Sequence, residues 1–120
     1  MKSEITSIRP FIGAKDYAVS RAFYRELGFT ENVIDGKLSV FHKDKISFYL
    51  QDYYHKDWIE NTMLFLEVTD VQEQYQFLKD AKLDEKYPGV RLMAIKKETW
   101  GEECFLIDPA GVLLHFGLFY

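Results

Sequence analysis

The stretch Ala14-Lys15-Asp16-Tyr17-Ala18-Val19-Ser20-Arg21-Ala22-Phe23-Tyr24-Arg25-Glu26-Leu27-Gly28-Phe29 decides how the rest of the chain is read. Asp16 stands where a helix N-cap is wanted, with a short carboxylate that accepts from first-turn amides. Val19, Phe23 and Leu27 then recur at helical spacing, and Gly28 supplies the stop. Upstream, Ile8 to Ala14 has the character of a strand, with Pro10 near its start where a missing N–H does least harm. Downstream the period falls to two. Phe29 to Ile34, Leu38 to His42 and Ile46 to Gln51 form three strand-like runs, divided by the hairpin signal Asp35-Gly36 and by Lys43-Asp44-Lys45. The order is β-α-β-β-β.

The same order returns in the second half. Thr62 to Val68 is strand-like, Asp70 is a second N-cap, and Val71, Gln74, Tyr75 and Leu78 form a helical stripe that Phe77 widens. Arg91 to Lys96, Cys104 to Ile107 and Val112 to Phe119 supply three more strands, and Asp108-Pro109-Ala110-Gly111 makes a tight turn between the last two. Sliding the chain by 54 residues sets Asp16 on Asp70, Phe23 on Phe77 and Tyr24 on Leu78. The caps and helical faces coincide although few identities do, which points to an internal repeat. One domain over residues 1–120 is expected, with one unit over about residues 7–51 and another over about residues 62–119. Residues 52–61 join them as an aromatic-rich linker carrying Tyr53, Tyr54, His55 and Trp58.

Composition narrows the function. The 120 residues include 10 Phe, 8 Tyr and 2 Trp, more rings than so small a core readily absorbs, so a ligand-facing or partner-facing surface is expected. A net charge of −4 with dispersed basic residues gives no footprint for nucleic acid. Cys104 is the single cysteine, so an intrachain disulfide and a thiolate metal cluster are both excluded. Its neighbours Phe105, Leu106 and Ile107 mark it as a buried small hydrophobe. No apolar leader and no apolar run long enough to span a membrane occurs in the sequence, and a cytoplasmic location without membrane association is expected. No Ser-His-Asp order, phosphate-binding loop or dinucleotide fingerprint is present.

Two βαβββ units, the Ser20-x-x-Phe23-Tyr24 block with Leu27-Gly28-Phe29, and the Asp108-Pro109-Ala110-Gly111 turn together resemble the vicinal oxygen chelate superfamily of glyoxalases, bleomycin-resistance proteins and extradiol dioxygenases. Trp100-Gly101 before an apolar strand is most similar to the bleomycin-resistance branch. The resemblance spans Ile8 to Phe119 and implies an α+β fold in which the two units form a curved, barrel-like mixed sheet around a cleft. It also implies four inward positions that hold metal ligands in the metal-dependent members, here Arg9, Tyr49, Met63 and His115. Only His115 is an ordinary ligand for such a metal. Arg9 stays cationic, and the Met63 thioether is poorly suited to zinc, magnesium or iron(II). No metal and no other cofactor is therefore expected.

The function that follows is metal-independent binding and sequestration of a small aromatic or cationic molecule, possible members being the bleomycin-type antibiotics, by a homodimer with two grooves between subunits. Trp100, beside flexible Gly101, is a platform for stacking a planar ligand or a plug at the end of the sheet. His115, Tyr49, Met63 and Arg9 line the cleft in this reading, Trp58 borders it, joins a dimer contact or packs back on the sheet from a solvated loop, and Glu102 and Glu103 either attract a cationic group or stand exposed beside it. The alternative is a glyoxalase- or dioxygenase-like enzyme with an altered site, using His115 and Tyr49 as acid–base groups or recruiting His42, His55 and Glu67 as ligands.

Overall fold

Both predicted N-caps are realised. Asp16 Oδ1 accepts from the Val19 amide at 3.3 Å, and Asp70 Oδ1 accepts from the Glu73 amide at 3.0 Å. They open α1 (Tyr17–Glu26) and α3 (Val71–Ala81) in a computed structural model that describes residues 2–120. The helices also stop alike. Gly28 has φ +111°, and the residue 54 positions later, Lys82, takes the left-handed conformation with φ 53°. That conformation turns the chain away from the helix axis, at a steric cost in Lys82 that glycine does not bear.

Each unit builds its own four-stranded mixed sheet. In the first, β1 (Phe11–Gly13) runs parallel to β4 (Ile46–Gln51), followed by β3 (Leu38–Lys43) and β2 (Thr30–Asp35), giving the order β1-β4-β3-β2. In the second, β5 (Met63–Glu67) runs parallel to β8 (Leu113–Phe119), followed by β7 (Gly101–Ile107) and β6 (Arg91–Lys97), giving β5-β8-β7-β6. The α+β class and the βαβββ repeat are as the sequence implies. The strands form two separate sheets, with no closed barrel among the described residues.

Four elements differ from the sequence reading. β1 holds only Phe11–Gly13, and residues 2–10 lie exposed, with Ile5 at 94% and Ile8 at 92%. β7 begins at Gly101 rather than Cys104, because Gly101, Glu102 and Glu103 pair with Phe119, Leu118 and Gly117. The linker folds into α2 (Lys56–Glu60), and a further short helix, α4 (Leu83–Lys86), precedes β6.

Helix α1 covers one face of the first sheet, where Tyr24 meets the rings of Phe41 and Phe48. Helix α3 covers the corresponding face of the second and buries Val71 and Leu78 among Cys104, Leu106, Leu114 and Phe116. The units are tied through Tyr24, whose hydroxyl donates to Asp108 Oδ2 at 2.7 Å, and through Phe23, which meets Tyr87 edge-on at 5.7 Å. The helices thus leave one face of each sheet open.

Candidate functional site

Strand alternation sends Phe41, Phe48, Leu50 and Ile12 toward the helix and leaves Phe11 and Tyr49 on the open face of the first sheet. In the second sheet Leu114, Phe116 and Leu106 are buried, while Met63, Phe65 and His115 lie on the open face. Register makes these sets equivalent. Phe11 is opposite Tyr49 across the parallel β1–β4 pair, and Phe65 is opposite His115 across the parallel β5–β8 pair. Tyr49 is therefore the counterpart of His115, and Arg9 that of Met63.

On the second sheet the open face is a ring-lined surface. Trp100 lies 5.0 Å from Phe119 and 6.1 Å from Phe65 between ring centroids, and Phe65 lies 5.7 Å from Phe119. Gly117 lies beneath Phe65, whose ring fills the space a side chain would take there. His115 is flanked by Phe65 at 6.2 Å and Phe105 at 5.1 Å. Its Nδ1 is 2.8 Å from Glu103 Oε1, and its Nε2 is 3.5 Å from Met63 Sδ. Phe65, Met63 and Phe119 remain 45%, 62% and 54% exposed, too much apolar surface for this face to be a core.

On the first sheet, Phe11 stacks on Tyr49 at 4.6 Å with planes 16° apart. Arg9 caps that stack, its Nη1 donating to the Tyr49 hydroxyl at 3.4 Å and its guanidinium lying 5.9 Å from the ring centroid. Trp58 belongs to neither set. It packs 5.7 Å from Tyr53 and closes over Gly13, at the end of β1. Glu102 falls on the helix-bearing face with Cys104 and Leu106, and Glu103 is the acid beside His115. His42 Nε2 contacts Asn32 Nδ2 at 2.9 Å, away from both clusters, and exposed Glu67 follows Phe65 on the open face of β5.

Between the sheets runs a cleft of about 620 Å³, bordered by Ile8 and Arg9, by Ile46 and Phe48 of β4, and by Leu64 and Phe65 of β5. That volume is in the range that holds a drug-sized molecule. Cys104 takes no part, because burial pushes its thiol up to about 11 and keeps it protonated at neutral pH. Among the described residues no group of three His, Cys, Asp or Glu side chains converges as a metal cage. The four positions where the superfamily resemblance implies ligands hold a guanidinium, a phenol, a thioether and one imidazole, which do not fit a hard divalent ion.

The sequence alone does not assign Phe11, Phe65 and Phe119 to the open face. The signal was present, since the 54-residue shift that aligns the caps also sets Phe11 on Phe65. Choosing Glu103 over Glu102 needed the β7–β8 register, because a slip of one residue reverses every side chain.

No protein-family model and no curated protein matches the sequence. Solved structures match it closely in shape. A bleomycin resistance determinant encoded on the transposon Tn5 superposes with a TM-score of 0.81 at 21% identity, covering 95% of this chain and 98% of that one. A bleomycin-binding protein from Streptomyces verticillus, complexed with copper(II)-bleomycin, gives 0.79 at 22% identity over 96% and 97% of the two chains. A lactoylglutathione lyase from Agrobacterium tumefaciens gives 0.71 at 15% identity over 96% and 95%. The chain has the fold these proteins share, a fold that hosts both antibiotic binding and catalysis.

Proposed function

We propose that this protein binds and sequesters a small planar aromatic or cationic molecule of the bleomycin type, as a cytoplasmic homodimer and without need of a metal. The observation that carries this reading is the exposed cluster of Phe65, Trp100 and Phe119 around His115 on the open face of the second sheet. Aromatic faces stack on planar ligands and attract cations, and Glu103 and Glu67 supply negative charge beside them. Solved structures of the same fold include bleomycin-binding proteins, which supports the ligand class.

Sequestration works by mass action and needs no proton transfer. Stacking on Trp100 and Phe65 supplies contact area, and His115 Nε2 supplies one directional hydrogen-bonding atom. Arg9, Phe11 and half-buried Tyr49, on the open face of the other sheet, form the opposite wall when a second copy closes the groove. Dimerisation would also cover open-face rings and the exposed Ile5 and Ile8, as two-fold interfaces commonly do.

Thermal unfolding with bleomycin tests the binding claim. At about 100 times its dissociation constant a ligand adds about 2.7 kcal/mol of stability, which for a domain near this size raises the midpoint by several degrees. An unmoved midpoint at millimolar bleomycin removes the reading. Light scattering is expected to give twice the 14.2 kDa chain mass. One observation favours a second reading, an enzyme with an altered site: a carboxylate-oriented imidazole, Glu103–His115, also suits general acid–base chemistry. Mass spectrometry of the released ligand separates the two, since sequestration returns it unchanged.

A further inference from the structure

The 54-residue repeat is unequal in one connection. Three residues, Leu27 to Phe29, join α1 to β2, whereas nine, Lys82 to Val90 with α4 among them, join α3 to β6. The longer connection packs onto the first unit. Tyr87 meets Phe23 edge-on at 5.7 Å, Lys86 Nζ lies 3.3 Å from Glu26 Oε2, and Phe23 is completely buried. The shorter connection returns no such cover. Phe77, which the 54-residue shift sets on Phe23, is left 46% exposed, and a crevice of about 280 Å³ opens between it and the end of α1. Buried Leu27, Phe29 and Phe116 form its floor, and Ile46, 49% exposed, stands with Phe77 at the rim.

The mouth of this crevice is acidic. It adjoins a polar basin of about 400 Å³ bordered by the exposed carboxylates of Asp44, Glu67, Asp70 and Glu73. Among the described residues none of these four has an ion-pair partner. The one ammonium lining either space, Lys43, lies along Gly28 at the C-terminal end of α1, where the helix dipole favours a cation. An apolar floor takes up a hydrocarbon group, and surplus negative charge favours a cation over an anion. We propose that the crevice is a second ligand site, for a small ammonium compound carrying one apolar ring or short chain. The hydrocarbon seats on Leu27, Phe29 and Phe116 beneath the Phe77 ring, whose face also attracts a cation, and the nitrogen lies toward Glu67 and Glu73. A volume just under the usual range of drug pockets limits the apolar part to about that size. This site is separate from the ring-lined face of the proposed sequestration. It meets the main cleft at Ile46, Leu66 and Glu67, but Phe65, Trp100, His115 and Phe119 take no part in its lining.

NMR titration of the full chain, carrying 13C-methyl Leu, Val and Met, with cyclohexylmethylammonium tests the assignment. The methyl resonances of Leu27 and Val68, which line the crevice and not the main cleft, are expected to shift saturably in the wild type. Cyclohexylmethanol, of the same shape without the charge, binds about threefold more weakly at low salt, and cyclohexanecarboxylate more weakly still. Glu67→Gln combined with Glu73→Gln removes the preference for the ammonium. Phe77→Ala, at a half-exposed position, weakens binding about tenfold and leaves the thermal response to bleomycin as in the wild type. Absent shifts, shifts confined to Met63 on the open face, carboxylate binding as tight as the ammonium, or binding that survives Phe77→Ala overturns the proposal. A chain that binds the ammonium in the crevice but not bleomycin upholds this site and overturns sequestration.

Discussion

Tyr24 and Asp108 show how much of this architecture rests on single side chains. Asp108 Oδ1 accepts from the amides of Ala110, Gly111 and Val112 at 2.8–2.9 Å, and Oδ2 accepts from Tyr24 of the other unit. Asp108→Ala leaves these buried donors unpaired and is expected to cost about 2–4 kcal/mol in chemical denaturation. Asp108→Asn keeps an acceptor and costs about 1 kcal/mol. The pH dependence has a definite sign. Burial raises the Asp108 carboxyl above its ordinary value, against the pull of the Tyr24 and amide hydrogen bonds. Its contribution is fullest below the ordinary carboxylate pKa and is lost as pH rises through the folded value, so the deficit of Asp108→Asn grows on acidification. Glu31 behaves oppositely. Burial pulls its carboxyl up, but hydrogen bonds from Arg21, Ser39 and Arg25 outweigh burial and hold it below the ordinary value. Its contribution is present above the ordinary carboxylate pKa and is lost as pH falls through the folded one, so the deficit of Glu31→Gln shrinks on acidification.

At the level of elements, capping and close approach make separable predictions. Asp16→Ala and Asp70→Ala each remove a realised N-cap and are expected to cost about 1 kcal/mol. Gly101 and Gly117 sit in strands for different reasons. A side chain at 101 would run into the Leu118 backbone of the paired strand, so Gly101→Ala costs about 3 kcal/mol. A side chain at 117 would clash with the Phe65 ring, which can swing outward, and would only touch the Glu102 carbonyl at 3.4 Å. Gly117→Ala therefore costs about 1 kcal/mol while weakening bleomycin binding more than tenfold, because the stacking surface moves. Both helices, both caps and the Asp108 turn were legible because each has a local chemical signal. The short β1 was not, since the apolar character of Ile8 is the same in a paired strand and an exposed arm. The four-residue α4 is too short to show a period, and Gly101-Glu102-Glu103 joins β7 through pairing with β8 rather than through propensity.

Across the whole molecule, the repeat explains the surplus of rings. Some fill the cores under α1 and α3, and the rest lie on the two open faces, Phe11 and Tyr49 on one, Phe65, Trp100 and Phe119 on the other. The excess of rings pointed to a ligand-facing or partner-facing surface, but which residues lie on the open face depends on register across β5–β8–β7. Trp58 and Trp100 are the only indoles, and Trp58 packs against Tyr53 over Gly13 at the end of β1, outside the Phe65–Trp100–Phe119 ring contacts. The variant Trp58→Phe makes Trp100 the sole indole reporter on the proposed binding face. Titrating it with bleomycin is expected to change Trp100 fluorescence saturably, with one ligand per chain. Trp100 emission that stays constant through saturating bleomycin would contradict the placement of the site on this face.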